Sequence, residues 1–316
     1  MDRATKGFKK PAVRLAFSYL FDWILCVVLI ALFLMLDNLT PFKRQFSVED
    51  RSLMYPYKEK ETIPTWALIV IAVVFPAVLM AVVSLFIRRS SYDFHNGFLG
   101  LLLSVSLTIV VTQVVKVTVG KHRPDFIDRC KPMLNGVAIT RDEPLKLWSV
   151  DVCTTTNHSV FKDGMRSFPS GHASTSFAGL IYLSLWLAGK MHVFDRKGYS
   201  LKSVIFMVPV LTAILVTVSR IEDYRHSAAD VGWGTVIGIF FAFFAYHQYY
   251  PSVTRSHSHI PYPPRDFNYL VKDNDGKIHE AGHLEAMTGI HPNEESVDET
   301  QQQQPEQFTD LEAQEK

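Results

Sequence analysis

The chain has 316 residues, with 32 basic and 31 acidic side chains and a formal net charge of +1. This balance argues against a nucleic-acid-binding protein, which would carry a basic stripe on its surface. Apolar residues make up 48% of the chain, an ordinary fraction for a globular protein, but they are concentrated in a few long runs.

Six apolar windows follow one another along the chain, at residues 15–36, 64–87, 97–119, 173–189, 203–219 and 228–248. Together they contain three charged side chains, Asp22, Lys116 and Asp230. The helices of a water-soluble protein would carry charges on their outer faces, so this pattern excludes a soluble fold. Windows of about 20 residues cross a hydrocarbon core of roughly 30 Å as helices, and the fourth and fifth windows are somewhat shorter. We expect an all-α integral membrane protein, a bundle of six transmembrane helices.

The charges between the windows predict the orientation and the domain boundaries. Basic residues cluster in the N-terminal segment and in the turns after windows two and four, which the positive-inside rule places in the cytoplasm. The N-terminus lacks the features of a cleaved signal peptide, so the first window is expected to remain as an anchor. We predict a cytosolic N-terminal segment at 1–14 and a six-span domain at 15–250. The Gln-rich, acidic stretch at 251–316 is predicted to be a disordered cytosolic tail.

The long loop between windows three and four holds two cysteines and a glycosylation sequence. On the predicted topology this loop faces the lumen or the exterior. In an oxidising compartment we expect Cys130 and Cys153 to pair in a disulfide, and two unrelated thiols are the alternative. The acceptor sequence Asn157-His-Ser159 lies on the same face, which agrees with the predicted orientation and makes Asn157 a candidate glycosylation site.

Three short polar runs reach one face of the membrane when the six spans are counted. They are Lys116-Val-Thr-Val-Gly-Lys-His-Arg123-Pro124, Pro169-Ser170-Gly171-His172, and Ser219-Arg220-Ile-Glu-Asp-Tyr-Arg-His226-Ser-Ala-Ala-Asp230. Their residue types suit phosphoryl transfer, because the transition state spreads negative charge over the phosphate oxygens. Lys116, Arg123 and Arg220 offer three cations to those oxygens. Ser170 and Gly171 begin a predicted helix, so their backbone N–H groups point at the same anion.

The two histidines of these runs are predicted to have different roles. His226 and Asp230 are four residues apart, hence neighbours on one helical face if the helix starts early. A carboxylate that accepts from the imidazole N–H makes the other ring nitrogen more nucleophilic. His172 has no carboxylate beside it in sequence and is the candidate general acid for the departing oxygen.

Each piece also has a structural explanation when it is taken alone. Lys116 would be a snorkelling lysine at a helix end, and Arg220 a positive residue beside a span. Lys121, His122 and Arg225 lie outside the pattern and are interpreted as solvated or headgroup-facing groups. Taken together, however, the three runs are not explained by structure alone, because packing does not place so many specified residues in order on one face.

At these residues the sequence resembles the type 2 phosphatidic acid phosphatase family, the integral-membrane lipid phosphatases. The three-part signature of the family is Lys-x6-Arg-Pro, Pro-Ser-Gly-His and Ser-Arg-x5-His-x3-Asp, and all three parts are present without departure. The stretches Asp151-Val-Cys-Thr-Thr-Thr-Asn-His158 and Arg44-Gln-Phe46 are similar to those of fungal-type diacylglycerol pyrophosphate phosphatases.

The resemblance implies a mechanism that uses neither a metal nor a cofactor. His226 would be the nucleophile that forms a phosphohistidine, Asp230 would orient it, and His172 would be the leaving-group acid. The phosphate would be bound by Lys116, Arg123, Ser170, Gly171 and Arg220.

The expected function is that of a membrane phosphatase that converts diacylglycerol pyrophosphate and phosphatidate to diacylglycerol. Phosphatases of sphingoid-base or isoprenoid phosphates are alternatives, since selectivity depends on the shape of the pocket. A polytopic lipid transporter or scaffold would need the cations but not both histidines. A vanadate-dependent haloperoxidase would share the oxyanion pocket but not the six spans. Lumenal sites fit vacuolar, Golgi, endoplasmic-reticulum and plasma membranes equally.

Overall fold

The computed structural model describes residues 18–195, 197–263, 269–272 and 278–281. The predicted segment at 1–14 and most of the predicted tail lie outside these ranges. The chain divides into two compact units, of which the larger comprises Tyr19–Tyr262 and the other contains the two ends of the chain.

The larger unit is mostly helical. Its helices are, in chain order, α1 (Leu20–Asn38), α2 (Thr65–Ile87), α3 (Ser91–Val119), α4 (Phe126–Cys130), α5 (His158–Gly164), α6 (Gly171–Met191), α7 (Ser200–Glu222) and α8 (Ala228–Tyr249). Five of them (α1, α2, α3, α7 and α8) are long and apolar enough to cross a membrane, and they coincide with five of the six predicted windows. This agreement indicates a multi-pass membrane protein.

Helix α6 corresponds to the fourth predicted window and has a different composition. Its serines, glycines and threonine make it less apolar than the five candidate spans. It packs against α3, α7 and α8, and nearly all of its residues from Ala173 to Gly189 are buried. A helix that neighbouring helices shield from lipid does not need an apolar surface of its own. The sixth span therefore stays a prediction.

Small residues let the helices approach closely. A Cβ atom added at Gly179 of α6 would lie 1.8 Å from the carbonyl oxygen of Ala72 in α2. A Cβ atom at Gly238 of α8 would lie 2.4 Å from the carbonyl oxygen of Ser174 in α6. Glycine is thus required at both positions, because any side chain would push the backbones apart.

The loops at one end of the bundle form a small lobe. It contains α4, α5 and an antiparallel hairpin of β1 (Met133–Leu134) and β2 (Val137–Ala138). A disulfide joins Cys130 to Cys153, whose Cα atoms are 4.6 Å apart. Phe46 and Trp148 exchange two backbone hydrogen bonds, which attach the loop after α1 to the lobe. Asn157 is exposed and caps α5, because its side-chain oxygen accepts from two backbone N–H groups at the start of that helix.

The chain beyond α8 differs from the predicted boundary at residue 250. Residues 251–262 belong to the larger unit. The Tyr262 N–H donates to the Tyr249 carbonyl (2.8 Å), and the buried Ser258 hydroxyl donates to the Gly189 carbonyl near the end of α6 (3.3 Å). The physical reason is that the last carbonyls of a helix lack partners within it, and this segment supplies them.

The other unit contains one described element, an antiparallel pair of strands. Strand β3 (Tyr269–Lys272) pairs with β4 (Ile278–Ala281), with Tyr269 opposite Ala281. This part of the predicted disordered tail therefore has regular secondary structure.

Candidate active site

Backbone hydrogen bonds bring the three polar runs together. The Ser170 N–H donates to the Asp230 carbonyl over 2.9 Å, which joins the second run to the third. The Ser167 N–H donates to the Lys121 carbonyl over 2.9 Å, which joins the segment before the second run to the first. The convergence predicted from counting spans is thus present in the structure.

A cavity of about 220 Å³ opens between the runs. Six of the eight predicted catalytic and phosphate-binding residues line it: Lys116, Arg123, Gly171, His172, Arg220 and His226. The other two, Ser170 and Asp230, are fully buried. The cavity therefore presents three cations and two imidazoles to one small volume.

The local sequence explains why the first two runs meet. Gly120 ends α3 in the left-handed conformation (φ 58°), and a Cβ atom there would lie 1.9 Å from the Phe42 carbonyl oxygen. This turn leaves Lys116 in the last turn of α3, facing the start of α6. A Cβ atom at Gly171 would lie 3.2 Å from the Lys116 Nζ. Glycine at this position therefore keeps the space between the ammonium group and the helix open.

The N-terminus of α6 is built as an anion-binding position. Ser170 is its N-cap, and the Ser170 hydroxyl accepts from the Ala173 N–H (3.4 Å). Gly171, the first helical residue, lines the cavity. The backbone N–H groups of the first turn and the positive end of the helix dipole favour a bound phosphate there.

The two arginines are buried and held by carboxylates. The Nη2 atom of Arg220 donates to Asp223 (3.0 Å), and its Nη1 atom donates to Glu61 (3.0 Å). The Nη2 atom of Arg123 donates to Asp163 (2.6 Å). The buried Nε atom of Arg123 has no hydrogen-bond partner among the described residues. An unpaired buried N–H is costly, so a bound anion would stabilise this arginine.

The ring of His226 is fixed in one tautomer. Its Nδ1 atom lies 2.7 Å from the Ser167 carbonyl oxygen, which can only accept, so Nδ1 carries the proton. Burial, with the nearby charges of Arg123 and Lys116, holds the pKa of His226 well below its ordinary value. The ring is therefore neutral, and its Nε2 lone pair is available for attack on phosphorus.

Asp230 is not placed as predicted. Helix α8 begins two residues after His226, so the four-residue spacing does not lie within one helix. Among the described residues, the Asp230 carboxylate accepts from Lys121 Nζ (2.7 Å), Ser167 Oγ (2.6 Å) and the Ser227 N–H (2.9 Å). The predicted direct contact is replaced by an indirect one. The Asp230 carboxylate accepts from the Ser167 hydroxyl, and the Ser167 carbonyl accepts from His226 Nδ1.

His172 does have a carboxylate nearby, which comes from a distant part of the chain. Its Nε2 atom lies 3.0 Å from the Ile63 carbonyl oxygen and 3.9 Å from a carboxylate oxygen of Glu61. Both belong to the segment before α2. The fold thus supplies the partner that the neighbouring sequence lacks.

Three carboxylates also line the cavity and were not predicted: Asp37, Glu61 and Asp163. Burial alone would raise the pKa of Asp163, but Arg123 and Arg129 lower it to about 2. Asp163 is therefore ionised and serves as an anchor for arginines. No motif marks these carboxylates, because each belongs to a different loop or helix end.

The interpretation of His122 and Arg225 as solvated groups is wrong, and Lys121, which was interpreted in the same way, is 34% exposed but held in an ion pair. Lys121 is bound to Asp230, as described above. His122 is buried, with its ring centroid 4.0 Å from that of Phe126. Arg225 is buried as well and donates to the Lys58 carbonyl (2.7 Å). His122 and Arg225 are buried because the loops between the spans have a core of their own, which hydropathy windows do not detect.

Comparisons with known proteins place this site in a family. The model of the PAP2 superfamily matches residues 97–253, which include all three runs. Lipid phosphate phosphatase 2 of Arabidopsis thaliana is 43% identical over 77% of this chain and 81% of that protein. Probable diacylglycerol pyrophosphate phosphatase 1 of Schizosaccharomyces pombe is 33% identical over 87% and 95%, respectively. Diacylglycerol pyrophosphate phosphatase 1 of Saccharomyces cerevisiae is 33% identical over 82% and 86%. No solved structure shows a significant match.

Proposed function

The chain belongs to the PAP2 superfamily, and we propose that it removes phosphate from lipid phosphate monoesters and pyrophosphates in a membrane. Diacylglycerol pyrophosphate and phosphatidate are the proposed substrates, with phosphatidate and then diacylglycerol as the lipid products. The observation that carries this proposal is the single cavity in which three cations surround a neutral histidine. The names of the relatives support the lipid substrate class.

Substrate binding is assigned to the cations and the helix terminus. The phosphate oxygens would bind Lys116, Arg123 and Arg220, and the backbone N–H of Gly171 would complete the cradle. The acyl chains would remain among the spans, so the phosphate would enter the cavity from the membrane side of the lobe. Proximity of four donors to one anion stabilises the charge that spreads over the oxygens during transfer.

Phosphoryl transfer would take place in two steps. In the first, the Nε2 atom of His226 bonds to phosphorus, the bond between phosphorus and the leaving oxygen breaks, and the imidazolium form of His172 gives that oxygen a proton. Burial and the charges of Arg220 and Lys116 lower the pKa of His172 to about 3, so the negative charge of the bound phosphate would have to favour its protonated form. In the second, water attacks the phosphohistidine and gives a proton to His172. Inorganic phosphate then leaves, and both histidines return to their starting states. The contact of His226 with the Ser167 carbonyl supports this role, since it stabilises the Nδ1–H form throughout.

The direct test is phosphate release by the full-length protein in mixed micelles of detergent and diacylglycerol pyrophosphate, with excess chelator present. We expect turnover to persist in chelator and to fall by at least about a thousandfold in His226→Ala, because no other nucleophile is proposed. Phosphate transfer to the protein should appear as an acid-labile, base-stable adduct that His226→Ala lacks.

The matched control is His247→Ala, an exposed histidine of α8 whose Nδ1 atom contacts the Phe243 carbonyl. It should retain the turnover of the unaltered protein. Substantial turnover by His226→Ala would refute the nucleophile. Loss of turnover in chelator would refute the metal-independent mechanism. Lipid flux across vesicles that is unchanged by His226→Ala, without phosphate release, would favour a transporter.

A further inference from the structure

We propose that Glu61 competes with phosphate for Arg220 and thereby sets the affinity of the site for phosphate anions. The carboxylate would occupy the phosphate-facing nitrogen of Arg220 while the site is empty, leave it when substrate binds, and return as inorganic phosphate departs. This inference rests on the proposed function, since it concerns the same cavity.

The three donor positions of Arg220 are used unequally. Its Nε atom donates to the Ser219 hydroxyl (3.2 Å), and its Nη2 atom donates to Asp223 (3.0 Å). Asp223 is fully buried and is held in turn by the Thr62 N–H (2.8 Å), so it is a permanent partner. The Nη1 atom donates to Glu61, whose side chain is 25% exposed. Nη1 is therefore the nitrogen that can exchange one anion for another.

The backbone around Glu61 is fixed, but its side chain is not enclosed. The next residue, Thr62, is bonded to Asp223, and the Ile63 carbonyl contacts His172 (3.0 Å). Rotation of the Glu61 side chain would therefore release Arg220 without moving the segment. The cost of the exchange is limited to side-chain rotation, which is small beside the energy of a charge-assisted hydrogen bond.

The other two carboxylates of the cavity have different partners. Asp37 accepts from Arg166 (2.7 Å) and Gln113 (3.1 Å). Asp163 accepts from Arg123 (2.6 Å) and Arg129 (3.0 Å). Moving the Asp163 carboxylate would leave Arg123 without a side-chain partner among the described residues, which is strongly unfavourable. Arg166, the partner of Asp37, also donates to the backbone carbonyls of Asp37 and Leu39.

The cations that Glu61 contacts remain paired when it leaves. Arg220 retains Asp223, and Arg225, which lies 3.4 Å from Glu61, retains the Lys58 carbonyl (2.7 Å) and Asp163 (3.5 Å). Departure of Asp163 would instead leave Arg123 without a side-chain partner among the described residues. Asp37 pairs with Arg166, which is not a predicted phosphate-binding residue. Glu61 is thus the cavity carboxylate that can release a predicted phosphate-binding arginine while the buried arginines it contacts keep other partners. It is the carboxylate that a phosphate would displace.

The proposal and a purely structural role of Glu61 predict opposite changes in phosphate affinity when the Glu61 carboxylate is neutralised. If Glu61 competes with phosphate, neutralising its carboxylate strengthens phosphate binding, because two anions no longer contend for Nη1. If Glu61 instead only orients Arg220, the same substitution weakens phosphate binding. The direction of the change in affinity therefore decides between them.

The experiment measures the binding of inorganic phosphate to the full-length protein by calorimetry, and its inhibition constant in the hydrolysis assay. For Glu61→Gln we expect both constants to fall by about tenfold, the size of one charge-assisted hydrogen bond, and KM for the lipid to fall with them. The matched control is Glu59→Gln, the same charge change at an exposed position two residues away, which should leave both constants unchanged.

A phosphate dissociation constant for Glu61→Gln that is unchanged or higher, in a protein with the thermal stability of the unaltered chain, would overturn the proposal. If Glu61→Gln fails to fold, Glu61→Asp withdraws the carboxylate by one methylene and should lower the constant by a smaller factor; an increase would again overturn it. If no lipid phosphate is hydrolysed, the proposed function fails, while calorimetry with phosphate alone still decides the role of Glu61.

Discussion

Asp230 shows how one buried side chain serves both a helix and the site. Its carboxylate accepts from the Ser227 N–H, while the Ser227 hydroxyl accepts from the Asp230 N–H, which forms a capping box at the start of α8. The same carboxylate holds the Ser167 hydroxyl next to the carbonyl that fixes His226. A buried carboxylate is costly without a cation, and Lys121 supplies it over 2.7 Å.

Replacing Lys121 with Met should therefore destabilise the protein. The substitution leaves a fully buried carboxylate without its cation, and we expect the free energy of unfolding to fall by about 2 kcal/mol, since the partial exposure of Lys121 moderates the loss. Lys121→Arg keeps the charge and should stay near the unaltered protein. Thermal unfolding in detergent micelles measures both, and an unchanged midpoint for Lys121→Met would contradict the buried ion pair.

At the residue scale, the sequence predicts the candidate catalytic and phosphate-binding residues and misses the carboxylates that contact them. Lys116, Arg123 and His226 stand at fixed spacings in short runs, so local pattern identifies them. Glu61 and Asp163 reach the same cavity from a loop and a short helix about a hundred residues apart along the chain. Their partners depend on the path of the chain, and no local spacing records that path.

At the scale of elements, α6 is the helix around which the others pack. Its N-terminus lines the cavity at Gly171, and its small residues allow α2 and α8 to come within backbone contact. The sequence predicts its position correctly, but its hydropathy resembles that of a shielded helix more than that of a lipid-facing span. Burial by neighbouring helices explains the low hydropathy, because polar hydroxyls and glycines are tolerated where lipid does not reach.

Gly179→Ala should test this packing. The added methyl group would lie 1.8 Å from the Ala72 carbonyl oxygen, so α2 and α6 must separate, and we expect a loss of about 1–3 kcal/mol in the free energy of unfolding. The control is Gly232→Ala in α8, where a Cβ atom meets nothing within 4 Å and the higher helix propensity of Ala should be neutral or slightly stabilising. Equal midpoints for the two variants would argue against the close contact.

At the scale of the whole molecule, the helices of the bundle and the segments of the lobe both supply residues to the cavity. Helix ends contribute Lys116, Gly171 and Arg220 to the cavity, and the segments between the spans contribute Arg123 and Asp163. The disulfide between Cys130 and Cys153 ties together two segments of the lobe. A covalent link of this kind restricts the unfolded chain and so stabilises the folded lobe.

The disulfide gives a test of the predicted lumenal orientation of the loop that contains Cys130 and Cys153. Cys26 is free and buried in α1, so the unreduced, denatured protein should add one polyethylene-glycol maleimide, and the reduced protein should add three. Without reduction, Cys153→Ser should add two maleimides. It should also unfold at a lower temperature, because loss of the disulfide lowers the free energy of unfolding by about 3 kcal/mol. Three adducts on the unreduced protein would place the loop in a reducing compartment and contradict the predicted lumenal orientation.

The sequence by itself determined the membrane class, the positions of the long helices and most of the charged and histidine residues that line the cavity. These follow from hydropathy and from short runs of chemically specific residues, which are properties of contiguous chain. The tertiary structure decided that Asp230 reaches His226 through Ser167, that the partly exposed Lys121 and the buried Arg225 are ion-pair partners, and that carboxylates such as Glu61 share the cavity with its cations. These contacts join segments far apart in sequence, and their energies depend on burial and distance, which exist only once the chain is folded.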